Sequence, residues 1–146
     1  MKKNYILFLF VAVLGLAISS CSSDNDNDAS IVGKWAFSQY GIGAGGQEAL
    51  QDHDNEIECG KDYMEFFADG TYKVILFDKE NGKCVTIQDG GQYTKNGSTL
   101  TLKGSEEEPE AVDSEIVILD DSTLKTQRSY EVEKVKVSEI FIYKKI

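Results

Sequence analysis

The chain has 146 residues, with 15 Lys and Arg set against 25 Asp and Glu, a formal net charge of −10. A chain this acidic is repelled by nucleic acid and by anionic membrane faces, which excludes nucleic-acid binding as its function.

Met1, Lys2 and Lys3 precede a largely apolar run of fourteen residues, Tyr5 to Ile18. A basic start followed by a short apolar stretch is the pattern of a secretory signal peptide. At 1.5 Å per residue the run spans about 21 Å, short of a hydrocarbon core of about 30 Å. It ends in Ile18-Ser19-Ser20-Cys21, which resembles the bacterial lipobox. That resemblance implies cleavage before Cys21 and acylation of its thiol and new amino group. Residues 1–20 are then the signal, and residues 21–30 an acylated cysteine on a polar, acidic tether. A membrane partner follows, reached through the Cys21 lipid, since stable anchoring takes more than one acyl chain.

Asp24, Asp26 and Asp28 alternate like the first half of a calcium loop. Ala29 then stands where that loop needs Gly, and Trp35 where it needs Glu, so no calcium site is expected. The acidic run is similar to the tract behind the cysteine of surface-directed Bacteroidetes lipoproteins. It implies an outer-membrane location, with either display at the cell surface or a periplasm-facing spacer.

Without residues 1–20 the chain keeps 126 residues, enough for one domain at 31–146, with 13 basic against 25 acidic groups, or −12. Cys59 and Cys84 remain, and two cysteines in an exported domain are most simply a disulfide.

From Ile31 onward, β-branched and aromatic segments recur between turn signals, with almost no helical period. Eight strands are expected, at Ile31–Gln39, Asp62–Ala68, Thr71–Asp78, Cys84–Thr94, Ser98–Lys103, Ser114–Leu119, Thr123–Glu131 and Val137–Lys145. Asp69-Gly70, Asn81-Gly82 and Asn96-Gly97 suit tight hairpin turns, and Asp120-Asp121-Ser122 makes a polar break. Gly90-Gly91 suggests a bulge or a sharp bend. Eight strands in meander order close well into an antiparallel barrel, which removes exposed edges. Folding them about these turns brings Cys59 and Cys84 to the same end of the sheet. Residues 41–58 are expected as a long loop over the barrel mouth, either a lid with a short helical turn at Glu48–Gln51 or a flexible surface loop.

The first strand, "IVGKWAFSQ", contains Gly33-x-Trp35, which resembles the G-x-W motif that opens the lipocalin barrel. The succession of "CGKDYMEFFADGTY", a second Cys, "GQYTKNGSTLTL" and "EIFIYKK" is similar to the lipocalin-like domains of Bacteroidetes lipoproteins. The resemblance spans roughly residues 31 to 146. It implies an all-β, eight-stranded, lipocalin-like meander barrel and the binding of a small ligand. It also implies that Trp35 closes one barrel end beneath a basic residue of the last strand, Lys144 or Lys145. No Thr-Asp-x-Tyr-like motif and no C-terminal helix of the wider family are present.

No catalytic machinery is expected, and no cofactor. A serine nucleophile would need His53, the sole histidine, as its base, and nothing marks a serine near it. Asp52, His53, Asp54 and Glu56 carry metal-binding atoms, but an exposed acidic loop accounts for them and no metal is expected. Several strands are apolar on both faces. Either the interior is filled and the outer face covered by a loop or partner, or the barrel holds an apolar pocket. Phe66, Phe77, Phe141 and Tyr143, with Trp35, are the candidate core or pocket lining. The expected function is non-covalent binding of a small apolar or amphipathic ligand. The alternative is a filled barrel whose loops meet another envelope protein.

Overall fold

A computed structural model describes residues 29–56, 58–104 and 110–146. Nine strands form one antiparallel sheet: β1 (Gly33–Ala44), β2 (Gln47–Asp52), β3 (Tyr63–Phe66), β4 (Thr71–Glu80), β5 (Lys83–Asn96), β6 (Thr99–Lys103), β7 (Ala111–Leu119), β8 (Thr123–Val132) and β9 (Val135–Lys145). The spatial order is β2-β1-β3-β4-β5-β6-β7-β8-β9, and β1 also pairs with β9. Eight strands therefore close into a barrel in meander order, and β2 stands outside the ring as a ninth. Cys21 and the rest of the signal and tether up to residue 28 lie outside the described residues.

The turns follow backbone chemistry. Asn81 and Gly82 both have positive φ, as a two-residue type I′ hairpin requires, and so do Gly45 and Gly46. Glu133 and Lys134 do the same between β8 and β9, at φ 50° and 69°, although neither residue favours it. Between β5 and β6 the loop is Gly97-Ser98, with only the glycine at positive φ, the pattern of type II′. Asp120 holds the β7–β8 turn by accepting from the Ser122 and Thr123 amides at 2.8 and 2.7 Å. These hydrogen bonds keep its carboxyl below the usual carboxylate range.

Register decides which side chains enter the barrel, because residues paired across strands share a face. Trp35 pairs with Met64, Phe37 with Tyr143, and Leu124 with Tyr143, which puts all five on the inner face. Tyr72, Val74, Tyr93, Leu102 and Ile116 pack against this cluster. Two bulges then reset the alternation. The extra residue Ser38 lets Tyr40 and Ile42, rather than Gln39, share the face of Phe37. Val117 does the equivalent in β7, so that Ile116 and Leu119 both point inward. At Gly90-Gly91 the β4–β5 register continues unbroken. The pair marks close strand approach instead of a bulge: a Cβ at Gly91 would lie 2.0 Å from the Lys103 carbonyl oxygen.

The long loop expected at 41–58 is largely strand. β1 runs on to Ala44, turns at Gly45-Gly46 and returns as β2, so residues 48–51 are extended and not helical. Backbone pairing with Tyr40–Gly43 supplies the hydrogen bonds that the local sequence does not signal. Among the described residues, those between Asp52 and Tyr63 form an irregular connection to β3.

That connection covers the outer face. Asp62 is its anchor: the carboxylate accepts from His53 Nε2 at 2.7 Å and from the Phe77 amide at 2.8 Å. Its own amide donates to Asn55 Oδ1 at 2.8 Å, and its carbonyl accepts from Phe37 N. Gly60 lies against the ring of Phe77, where a Cβ would come within 3.0 Å. Cys59 and Cys84 are joined, with Cα atoms 5.4 Å apart, and the Lys79–Glu58 ion pair lies beside them. The disulfide thus staples the 53–62 connection to β5. Two outward apolar residues are covered by the chain's own segments, Phe77 by this connection and Ile140 beside Gly43 of β1, whereas outward-facing Ile118 stays exposed.

Candidate functional site

The two ends of the barrel differ in kind. One end is closed by Trp35, which is 0% exposed. Its indole N–H donates to the Ile31 carbonyl at 2.7 Å, which satisfies the one polar atom that burial would strand. Lys145 Nζ lies 5.1 Å from the ring centroid. Of the two lysines weighed for that position, Lys145 occupies it, and Lys144 donates to Thr123 Oγ1 at 2.8 Å. Gly33 is required here: its φ is +130°, and a Cβ would sit 3.3 Å from Lys145 Cε. The Gly33-x-Trp35 motif is therefore one physical unit. Glycine lets the lysine lie across the indole, and the indole seals the barrel.

Behind Trp35 the interior is packed. Phe66 meets Tyr93 edge-to-face at 4.9 Å between centroids, and Tyr93 Oη donates to the Phe67 carbonyl. Tyr143 is buried and hydrogen-bonded to Thr126; burial pushes its phenol up to about 12. Phe66 and Tyr143 therefore belong to the core. Phe77 belongs to neither core nor pocket, because its register places it on the outer face under Gly60.

The other end is open. Beyond the Ser38 bulge, Tyr40, Ile42, Ala49, Gln51, Glu139 and Phe141 line a groove of about 470 Å³. These residues are paired across β2, β1 and β9: Tyr40 with Gln51 and Phe141, Ile42 with Ala49 and Glu139. They therefore share one face, continuous with the inner face that carries Phe37 and Tyr143. Ile42 is 56% exposed and Phe141 38%, a large apolar surface left in water. Phe141 and Tyr143 stack at 6.5 Å, so the groove floor meets the packed core directly. Of the four aromatic candidates, only Phe141 borders this groove.

His53 sits where the open end meets the covering connection. Its ring stacks on Phe37 at 5.2 Å and meets Tyr40 edge-on at 6.3 Å, while Nε2 is held by Asp62. Asp52 instead accepts from Gln39 at 2.9 Å. The acidic residues nearest His53 in sequence are thus not its partners, and among the described residues no three His, Cys, Asp or Glu side chains gather to hold a metal. Asp62 and the groove residues Ile42, Ala49 and Glu139 were not legible as site residues in the sequence. The only signal for the groove was Gly45-Gly46, a hairpin pair that follows the small and apolar residues Ile42-Gly43-Ala44.

Comparisons with known proteins agree with this architecture. The profile described as a lipocalin-like domain matches residues 31–126. A lipocalin-like protein from Bacteroides uniformis is similar in structure, with a TM-score of 0.53 and 20% identity over 79% of this chain and 97% of that one. A protein from Bacteroides eggerthii, described as uncharacterized, superposes with a TM-score of 0.52 and 13% identity, covering 80% of this chain and 100% of the other. The comparison with curated proteins finds no match. A closed eight-stranded meander, sealed by tryptophan and matched over most of its length, places the chain in the family of lipocalin-like domains.

Proposed function

We propose that the protein is a lipid-anchored lipoprotein of the outer membrane that binds a small apolar or amphipathic molecule without covalent chemistry. The groove at the open end carries this reading. Its volume of about 470 Å³ lies within the roughly 300–1,000 Å³ range of small-molecule sites. Ile42, Ala49 and the rings of Tyr40 and Phe141 offer apolar contact, while Gln51 and Glu139 supply polar groups at the edge. A carboxylate there, on a chain of net charge −10, favours a ligand with a hydroxyl or ammonium head over one with a carboxylate.

Native mass spectrometry of residues 22–146, which hold all nine strands described, tests this with dodecanol, dodecylamine and dodecanoate as probes. Discrete one-to-one adducts, strongest with the amine or alcohol and lost in Ile42→Glu, support the proposal. A bare protein with all three probes shifts the reading to a packed barrel that meets another envelope protein. The anchor is tested separately. Cys21→Ala should move the protein from the membrane to the soluble fraction, and an unchanged distribution rules the lipid out.

A further inference from the structure

β2 is paired on one edge only. Among the described residues no strand other than β1 pairs with it, and all six of its residues, Gln47–Asp52, are exposed. Such an edge offers unpaired backbone donors and acceptors, and natural edges are commonly blunted by lysine, proline or a bulge. β2 has none of these, and its register with β1 is unbroken. Its two charges are Glu48, which accepts from Lys125 Nζ at 2.7 Å, and Asp52, which accepts from Gln39 at 2.9 Å.

We propose that β2 is a self-association edge, pairing antiparallel with the β2 of a second copy of this chain about a two-fold axis. The axis of such a pair stands perpendicular to the sheet, so one residue must face its own copy. Charge then selects which one. Centring on Glu48 leaves only residues 47–49 in the ladder and crowds two carboxylates that each already hold a Lys125, and centring on Leu50 sets Glu48 against Asp52 twice. Centring on Gln51 leaves only residues 50–52 in the ladder. With Ala49 at the axis, Gln47 faces Gln51, Glu48 faces Leu50, and residues 47–51 all pair with no like charges opposed. The two glutamine amides are complementary to each other, and Ala49 leaves room at the axis. Because Ala49 borders the groove, this arrangement places the grooves of the two copies side by side. The inference does not rest on the ligand reading, and its test uses no ligand.

Sedimentation of residues 22–146 across a dilution series, with two variants at one position, decides it. Leu50→Lys sets a cation opposite Glu48 on both sides of the axis and should tighten the dimer severalfold. Leu50→Glu sets carboxylates opposite each other twice and should weaken it by about tenfold. Opposite directions from one exposed position cannot come from misfolding. Ala49→Cys should also form a disulfide-linked dimer under mild oxidation, and Leu50→Cys should not. A protein monomeric at every concentration overturns the proposal. So does a dimer that responds alike to Lys and Glu at position 50, or one cross-linked through Leu50→Cys.

Discussion

Strands β1 and β9 run through both ends of the barrel and do opposite things there. Below the Ser38 bulge they contribute Trp35, Phe37 and Tyr143 to a packed interior; above it, the same two strands present Tyr40, Ile42 and Phe141 to solvent. The chemistry of the residues is similar at the two ends, since both are aromatic and aliphatic. What differs is enclosure. At the closed end β3 and β8 bring Met64, Phe66 and Leu124 against the indole, while at the open end the strands flanking β1 and β9, namely β2 and residues 128–132 of β8, are exposed along their length. Burial per apolar residue, and so stabilisation, should be concentrated at the Trp35 end, leaving the groove free to change without loss of fold.

The largest effect should come from emptying the closed end. Trp35→Ala removes a fully buried ring and strands the Ile31 carbonyl, and should cost about 3–5 kcal/mol in denaturant unfolding. A loss under 1 kcal/mol would mean that the two ends are not energetically distinct. Next is the staple. Cys59 and Cys84 are 25 residues apart, and replacing both with serine should cost roughly 2–4 kcal/mol by freeing the unfolded chain. Groove binding should persist in the fraction that stays folded.

The third prediction concerns alkaline pH. Tyr143 is pushed up to about 12 by burial, whereas the unfolded phenol titrates near 10. Its contribution is fully present below pH 10 and is lost as pH rises toward 12, because the unfolded chain sheds the proton first. The loss should reach roughly 2–3 kcal/mol. Tyr143→Phe should remove this component, and an unchanged alkaline profile in that variant would contradict the assignment. Smaller again is Lys145→Ala, expected to cost about 0.5–1 kcal/mol through the lost cation–indole contact. Phe141→Ala should change stability least, within about 0.5 kcal/mol for a ring already in solvent, while weakening dodecanol binding about tenfold.

The sequence was read most easily where local chemistry and fold agree. Eight of the strands carried alternating β-branched and aromatic residues, and Asp69-Gly70 and Asn81-Gly82 marked their turns. The cysteine pair and the Gly33-x-Trp35 unit were legible for the same reason, since each needs particular residue types. β2 was missed because Gln47–Asp52 has neither β-branched residues nor aromatics; pairing with β1 makes it a strand. The Glu133-Lys134 turn was equally silent, its positive φ values being imposed by the register of β8 on β9. Faces posed a different difficulty. Alternation along β4 puts Phe77 and Leu76 on opposite faces, but only closure of the barrel, with Tyr72 and Val74 packed on the core, decides which face is inside. The groove depends on the Ser38 bulge, and no residue type near Ser38 signals an inserted position.

The most direct test of the division between a holding end and a binding end is a residue-resolved NMR titration of residues 22–146 with dodecanol. Shift changes confined to Tyr40, Ile42, Ala49, Gln51 and Phe141, with the Trp35 indole N–H unmoved, are the predicted result. Changes centred on Trp35, Phe66 and Leu124, or none at any residue, would contradict it.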